Sequence, residues 1–211
     1  PWLNITSLGA EDSSGSCIWT SSTQGGNWLG MIVKTESATG SVTNTVPAGW
    51  TLAGSSSVVA TNSPKVSVYY KENAASESGS VTVTFNRTDT TWSIALVEIA
   101  GAAPTSSVAT VTTFNDTTAD TTTGTGTITT TTQTTPLVLA ASAVSSGVQF
   151  SSWGNSYTEI EDNAMGAAAG SGLGVAYRIF SSTTTTGTTA TVGSSRADAS
   201  IYVPVKLNTT T

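Results

Sequence analysis

The densest group of side chains able to bind a metal ion is a short acidic run in the second half of the chain. Glu159 and Glu161 are two residues apart, and Asp162 and Asn163 follow at once. In a regular strand the first two carboxylates would lie on one face, and a set of oxygen ligands suits calcium. The spacing differs from that of an EF-hand loop, so we favour a solvated acidic turn over a calcium site.

The ionisable side chains give little support to enzymatic chemistry. The chain has no histidine and a single cysteine, Cys17, which excludes histidine-based acid–base catalysis, histidine-ligated metals and an intrachain disulfide. A glycosidase needs two carboxylates across a cleft, and the spacing does not single out a pair such as Glu98 and Glu161. We therefore expect a protein with no catalytic activity and no cofactor.

Tryptophan is the residue type best suited to bind carbohydrate here, because its flat face can stack on a sugar ring. Trp2, Trp28 and Trp153 lie near turn residues, so we expect them to be exposed. Trp28 and Trp153 are the candidate glycan-stacking residues. The other three lie in strand-like runs, where their large apolar area favours burial: Trp19, Trp50 and Trp92.

Four asparagines fit the acceptor pattern for N-linked glycans, and they are candidate glycosylation sites: Asn4, Asn86, Asn115 and Asn208. The pattern is also frequent by chance in a chain so rich in threonine. Two terminal segments are candidate contact strands for assembly. Trp2 and Ile5 mark the first, and Val203 and Val205 mark the second. Such strands can add to the exposed sheet edge of a neighbouring molecule.

Composition indicates a β protein with a hydroxyl surface. Charged residues make up 9% of the chain and the net charge is -6, while Ser and Thr together make up about a third. Scattered basic residues and a negative net charge argue against nucleic acid as a partner. No run reaches the roughly 18 apolar residues of a membrane span. No signal peptide is visible, and the start at Pro1 fits a processed form or a stretch of a longer polypeptide.

The pattern of short alternating runs and turn residues predicts an all-β fold. The run from Val81 to Phe85 alternates apolar residues with threonines, as in a half-buried antiparallel strand. Many such runs, separated by Gly, Pro and Asn, are typical of a sandwich or barrel.

Similar strands recur in the two halves of the chain. The run ending at Lys71 resembles the run ending at Arg178, and Ile94 aligns with Ile201, both at an offset of 107 residues. The segment from Gln24 to Val33 aligns with the one that begins at Gln133, at an offset of 109. We therefore predict two similar antiparallel β-sandwich units in tandem, one in residues 1–103 and one in residues 104–211.

One segment of the first half resembles a known class of module. It begins with the turn Pro47-Ala48-Gly49-Trp50-Thr51-Leu52, continues through a strand ending in Tyr69-Tyr70-Lys71, and closes with the strand from Ile94 to Gly101. This pattern resembles lectin-like, jelly-roll-type β-sandwich modules of phage virion proteins and of bacterial secreted or surface proteins. The resemblance implies a structural or adhesive role and brings no catalytic residues with it.

Composition and resemblance together predict a non-enzymatic structural protein on a surface outside the cell. We expect a virion component of the decoration or tail-fibre type, or a subunit of an extracellular assembly or filament. Its partners would be copies of itself or other particle or surface proteins. The alternative is a carbohydrate-binding, lectin-like adhesin module.

Overall fold

The computed structural model describes residues 4–58, 63–124, 136–145, 148–164, 171–181 and 186–208, with only the backbone described for 4–11, 161–164 and 171. In these ranges the chain forms strands and turns and no helix, which confirms the all-β prediction. No helix in them is long and apolar enough to cross a membrane. The strands are β1 (Asn4–Asp12), β2 (Ser14–Trp19), β3 (Trp28–Ser37), β4 (Asn44–Thr45), β5 (Thr51–Ser57), β6 (Lys65–Lys71), β7 (Gly79–Phe85), β8 (Thr90–Ile99), β9 (Thr112–Thr123), β10 (Pro136–Ser145), β11 (Phe150–Ser151), β12 (Thr158–Ala164), β13 (Ser171–Ile179) and β14 (Ala190–Lys206).

The described strands form three antiparallel sheets. The first large sheet has the order β1-β8-β3-β6-β5, and the small sheet has the order β2-β7-β4. The second large sheet has the order β11-β14-β10-β13-β12, with β9 also paired to β14.

Strand β7 illustrates why these residues form strands. Val81, Val83 and Phe85 are buried, and Thr82 and Thr84 between them are exposed, so one face meets the core and the other meets water. Threonine keeps the exposed face polar without charge, and its β-branched side chain favours the extended backbone. The central strands β3, β8 and β10 are buried on both faces instead, which explains their almost continuous apolar runs.

The same strand pairing occurs in both halves. The order β1-β8-β3-β6-β5 is matched by β9-β14-β10-β13-β12. The register also matches, because Thr51 lies opposite Tyr70 as Thr158 lies opposite Tyr177, and each pair of strands has a bulge just afterwards. The offset from Tyr70 to Tyr177 is the one that the sequence repeat predicts for β6 and β13.

One strand departs from the sequence repeat by a single residue. Ala95 pairs with Ile32 as Ile201 pairs with Ala141, so Ala95, and not Ile94, is the structural equivalent of Ile201. The alignment of Ile94 with Ile201 was wrong for a physical reason. A slip of one residue moves a side chain to the other face of the sheet, and Ile94 and Ile201 belong to different cores.

The small sheet also has a counterpart in the second half, built from continuous strands. The end of β9 pairs with the start of β14, and β11 pairs with β14 as β4 pairs with β7. The long β9 therefore covers the positions of β1 and β2, and the long β14 covers those of β7 and β8. Register shifts in β14 between Thr191 and Asp198 mark where this strand leaves one set of partners for the other.

A hydrophobic cluster that we call the shared core lies between the two large sheets. Both halves contribute to it, and its fully buried members include Ile32, Val68, Val97, Leu139, Val175, Ile201, Val203 and Val205. Ser56 Oγ also donates a hydrogen bond of 2.5 Å to the Phe114 carbonyl, across the boundary between the halves. Residues on both sides of position 103 therefore bury one common apolar surface, which is the dominant favourable term in folding.

Contacts across the shared core are reciprocal. Strand β5 packs on β9 and β1 packs on β12, while β6 packs on β14 and β13 packs on β8. Each contact from a strand of the first half to a strand of the second half is thus matched by a contact between their equivalents in the reverse direction. The same reciprocity occurs at a two-fold interface between identical subunits. The two large sheets meet within one chain in the way that two copies meet in a symmetric dimer.

The connection between the halves is fixed by hydrogen bonds. The Glu72 carboxylate accepts bonds from Ser106 N at 3.1 Å and from Ser107 Oγ at 2.5 Å. Val108 forms a bridge with Val205 of strand β14. The predicted boundary after residue 103 falls in this connection, and the division into units 1–103 and 104–211 stays a prediction.

Candidate functional site

A cavity of about 490 Å³ opens on the outer face of the first large sheet, which is the face turned away from the shared core. We call it the hydroxyl cavity because most of its lining residues carry a hydroxyl group. The lining consists of Thr35, Gly40, Ser41, Val42, Thr43, Ser55, Ser57, Val58, Ser63 and Lys65. Its volume lies within the range of about 300–1,000 Å³ that is typical of small-molecule sites.

Two buried hydroxyls at this position have no hydrogen-bond partner among the described residues. Thr35 Oγ1 and Ser67 Oγ are both without one, although the two residues are 0% and 1% exposed. Thr35 lines the cavity, and Ser67 lies opposite the lining residue Ser55 in the sheet. Buried polar groups are normally paired, so the Thr35 hydroxyl leaves hydrogen-bonding capacity unused at the cavity wall, and the Ser67 hydroxyl does so on the neighbouring strand.

Lys65 is the charged residue in the lining of the hydroxyl cavity. Its ammonium donates to the Val42 carbonyl at 3.0 Å, and no carboxylate of the described chain pairs with it. Burial lowers the pKa of Lys65 from its usual range, because desolvation disfavours the charged form. The cavity therefore combines hydroxyls, which donate and accept, with one cation that lacks an anionic partner.

The equivalent place in the second half is filled. At the offsets of their strands, Thr35 corresponds to Val144 and Ser67 corresponds to Gly174. The Phe150 ring lies against Gly174, where an added Cβ would come within 2.6 Å of it. Phe150 and Val144 belong to one buried apolar cluster. The same position is therefore a polar cavity in the first half and is filled by the Phe150 ring in the second half.

A buried polar network lies on the outer face of the second large sheet. Ser200 Oγ donates to Asp198 Oδ2 at 2.7 Å and lies 2.6 Å from Ser142 Oγ. Gly124 N also donates to Asp198 Oδ2, at 3.2 Å. Desolvation raises the pKa of Asp198 to about 6, although these hydrogen bonds act in the opposite direction. The network can therefore change protonation in the mildly acidic range.

An ion pair is buried at the rim of the shared core. Lys34 Nζ lies 2.9 Å from Glu36 Oε2, and the Lys34 side chain is 0% exposed. Burial lowers the pKa of Lys34 and raises that of Glu36, while the attraction between the two partners opposes both shifts. Arg196 of the second half also acts electrostatically on Glu36, so charges from both halves meet here.

The two predicted glycan-stacking residues have different environments. Trp28 is 1% exposed and stacks on Tyr70 with ring centroids 6.0 Å apart, so the prediction of an exposed ring was wrong and no face is free for a sugar. Its place at the start of a central strand, facing the shared core, is the reason. Trp153 is partly exposed, stacks on Phe150 at 6.1 Å and donates from Nε1 to Glu159 Oε2 at 2.8 Å.

The other tryptophans follow the prediction in part. Trp19 and Trp92 are buried in the core between the first large sheet and the small sheet, which confirms their predicted role. Trp50 packs against the same core while remaining partly exposed. Trp2 lies outside the described residues.

Glu98 is a buried residue whose role the sequence did not indicate. Its side chain is 5% exposed, although glutamate is seldom buried without a partner. Its Oε1 accepts hydrogen bonds of 2.7 Å from Gln24 N and from Asn27 Nδ2. The carboxylate thus holds the turn that leads into β3, and Glu161, considered with it as a catalytic pair, has no described side chain.

The acidic run predicted as a weak calcium candidate lacks the regular alternation on which that idea rested. A bulge at Ile160 interrupts the pairing of β12 with β13, between Glu159 and Glu161. The Glu159 side chain instead accepts the Trp153 hydrogen bond. The side chains of Glu161 and Asp162 lie outside the described residues, and no cluster of metal-binding side chains occurs in the part that is described.

The candidate assembly residues fall into two groups. Val203 and Val205 are 0% exposed and lie in β14, which here pairs with β10 on one side and with the segment around Val108 on the other. Their prediction as contact strands was therefore wrong, because a central strand of a sheet has no free edge. Ile5 lies in β1, at the end of the first large sheet, where an edge is available.

The candidate glycosylation sites lie on the surface where their side chains are described. Asn86, Asn115 and Asn208 are exposed. Asn86 Oδ1 accepts a bond from Thr43 N at 2.8 Å, and Asn115 Nδ2 donates to the Ser57 carbonyl at 3.2 Å. The Asn4 side chain lies outside the described residues, and glycosylation at all four stays a prediction.

No protein-family model, no curated protein and no solved structure matched the chain.

Proposed function

We propose that the chain is a non-enzymatic structural protein that works by contact with copies of itself or with other particle or surface proteins. The setting would be a virion or a cell surface, as a decoration or tail-fibre component or as a subunit of an extracellular filament. The proposal keeps the two jelly-roll-like units in tandem, of which the repeated strand pairing is the best support. Catalytic activity, a cofactor, nucleic acid and membrane insertion form no part of it.

The observation that carries the proposal is the position of two exposed apolar side chains. Ile18 is 59% exposed and Leu52 is 53% exposed. Ile18 lies in β2, at the end of the small sheet, and Leu52 lies in β5, at the end of the first large sheet. An edge strand that presents apolar side chains is a template for pairing with another chain.

The outward face of the small sheet supports contact with a neighbour as well. Ser16, Thr82 and Thr84 are exposed there beside Ile18, and Ser16 Oγ lies 2.8 Å from Thr82 Oγ1. This face carries hydroxyls and no charge, so a second protein could cover it without burying an ion. The cost of desolvation would be low, because hydroxyls can pair across the contact.

Sedimentation velocity over a range of concentrations tests the proposal. We expect the protein to self-associate. We expect Ile18→Lys or Leu52→Lys to shift it toward the monomer, since a charged lysine on an edge strand disfavours pairing with another chain. Ile179→Lys is the matched control, because Ile179 is 52% exposed but lies in β13, which is not an end strand of its sheet and pairs with β10 at this residue.

A wild-type protein that stays monomeric and binds no particle or filament would contradict the assembly role. Equal effects of the three lysine substitutions would show that association does not use the edge strands.

Carbohydrate binding is the second candidate function, and Trp153 is its remaining aromatic support. The residue is partly exposed and is oriented by its hydrogen bond to Glu159. Glycan binding at this ring would change tryptophan fluorescence, and Trp153→Ala would abolish the change. A flat response across a broad glycan array would remove this candidate.

A further inference from the structure

The hydroxyl cavity is the feature of the described chain that most needs an occupant. Natural structures leave few buried polar groups unpaired, and each such group calls for an explanation. Here two of them, Thr35 Oγ1 and Ser67 Oγ, lie on neighbouring strands, next to a space of about 490 Å³. A ligand whose own groups can pair with hydroxyls would account for Thr35 Oγ1, which belongs to the lining, whereas Ser67 does not line the cavity.

The comparison between the halves shows that the fold does not require this cavity. At the corresponding position of the second half, Phe150 covers Gly174 and packs with Val144. The same strand pairing can therefore be closed by apolar side chains. The first half instead keeps serine, threonine and lysine in the lining, which indicates a polar ligand.

The chemistry of the lining defines the class of ligand. Hydroxyl side chains both donate and accept hydrogen bonds, as the hydroxyls of a sugar do. The Lys65 ammonium adds one positive charge that lacks an anionic partner in the described chain. We propose that the hydroxyl cavity binds a single sugar residue that carries a carboxylate group.

In this arrangement the carboxylate pairs with Lys65 and the sugar hydroxyls pair with the serine and threonine side chains. Such a charge-assisted bond is stronger than one between neutral groups. It also restores a partner to an ammonium that burial has partly desolvated. The site is independent of the assembly role, and it needs neither Trp28 nor Trp153.

Isothermal titration with glucuronate, glucose and acetate, each as the sole ligand, tests the proposal on the full chain. We expect glucuronate to bind saturably, glucose to bind at least about tenfold more weakly, and acetate not to bind, because each lost hydrogen bond or charge contact costs about a factor of ten. Lys65→Met should weaken glucuronate binding by about tenfold or more and leave glucose binding unchanged. Lys206→Met is the matched control, because Lys206 lies outside the cavity and should have no effect.

A second variant separates binding from folding. Thr35→Val removes the unpaired hydroxyl with little change of shape, so we expect the free protein to be at least as stable as the wild type. The same change should weaken glucuronate binding by about tenfold, since one hydrogen bond to the sugar is lost. A merely structural hydroxyl would show the opposite pattern, with stability lost and binding unchanged.

Three results would overturn the proposal. One is the absence of saturable binding by glucuronate, which would indicate a cavity that holds water alone. Another is acetate binding as tight as that of glucuronate, which would indicate a simple anion site. The third is glucuronate binding that is unaffected by both Lys65→Met and Thr35→Val.

Discussion

The two halves share one pattern of strand pairing but differ in what fills the outer face of their large sheets. In the first half Val33, Trp92 and Ile94 belong to an apolar core beneath the small sheet. In the second half the equivalent residues are Ser142, Asp198 and Ser200, which form a hydrogen-bonded network. Backbone pairing therefore tolerates either an apolar filling or a hydrogen-bonded polar filling of the outer face.

The faces that the two large sheets turn toward the shared core are filled alike in both halves. There both sheets contribute valine, isoleucine and leucine to one core, and the buried ion pair of Lys34 and Glu36 lies at its rim. Trp28 Nε1 is an exception, because it lies in this core without a hydrogen-bond partner among the described residues. The comparison suggests that the shared core supplies stability, while the outer faces are free to diverge in chemistry.

The largest effect is expected at Phe150, whose ring fills in the second half the place that the hydroxyl cavity occupies in the first. Phe150→Ala should lower the free energy of unfolding by about 3–5 kcal/mol, because it leaves a cavity over Gly174. The change Ser67→Ala at the matching place in the first half should stay within about 0.5 kcal/mol of the wild type, because it removes an unpaired hydroxyl. Urea unfolding of both variants measures the difference. Equal losses of unfolding free energy would refute the contrast between Phe150 and the hydroxyl cavity.

Breaking the buried ion pair should cost nearly as much. Glu36→Gln removes the carboxylate that lies 2.9 Å from Lys34 Nζ, and we expect a loss of about 3 kcal/mol because a buried ammonium loses its counter-charge. The double change Lys34→Met with Glu36→Gln should recover most of that loss. Thermal unfolding of the single and double variants tests this, and a double variant as unstable as Glu36→Gln would argue against the ion pair as the cause.

The polar network of the second half should make stability depend on pH. The folded-state pKa of Asp198 is raised to about 6 from an ordinary value of 3.8, so its contribution is fully present below about pH 3.8 and is lost as the pH rises through about 6. We expect Asp198→Asn, which resembles the protonated acid, to raise stability above pH 6 by up to about 3 kcal/mol.

Urea unfolding of wild type and Asp198→Asn between pH 4 and pH 8 measures this effect. The gain in stability of the variant should grow across the interval from about pH 4 to 6 and then remain constant. A constant difference over the whole range would show that Asp198 is not the titrating group.

The smallest effects are expected where a cation lies over an aromatic ring in each half. Lys71 Nζ is 5.0 Å from the centre of the Trp50 ring, and the Arg178 guanidinium is 4.5 Å from that of Phe180. Lys71→Met and Arg178→Met should each cost about 1 kcal/mol or less. A larger loss for one of them in urea unfolding would show that its other contact also contributes, which is the ion pair with Glu77 for Lys71 and the hydrogen bond to the Asn155 carbonyl for Arg178.

Sequence reasoning predicted the elements better than their environments. The all-β class and the match of β6 with β13 follow from local alternation and from repeated residues, which are visible along the chain. The match of Ile94 with Ile201 was off by one, because similar residues on the two faces of a strand look alike in a sequence. Only the pairing with Ile32 and Ala141 reveals which face each occupies.

Burial was the property that could not be read from neighbouring residues. Trp28 lies beside turn residues, yet it faces the shared core, and Glu98 is buried because a turn distant in sequence supplies its hydrogen bonds. Val203 and Val205 lie near the end of the chain, yet they are in the centre of a sheet. In each case the residue's partner comes from a remote part of the chain.

By itself the sequence determined a strand-forming, hydroxyl-rich chain with few charges, because the β-branching of threonine and the alternation of apolar residues act locally. Only the tertiary structure decided that the halves bury one another's large sheets, and that one outer face holds a cavity while the other holds a phenylalanine. Those outcomes depend on contacts between residues about a hundred positions apart, and the pattern along a single strand does not indicate which strand will pack against it.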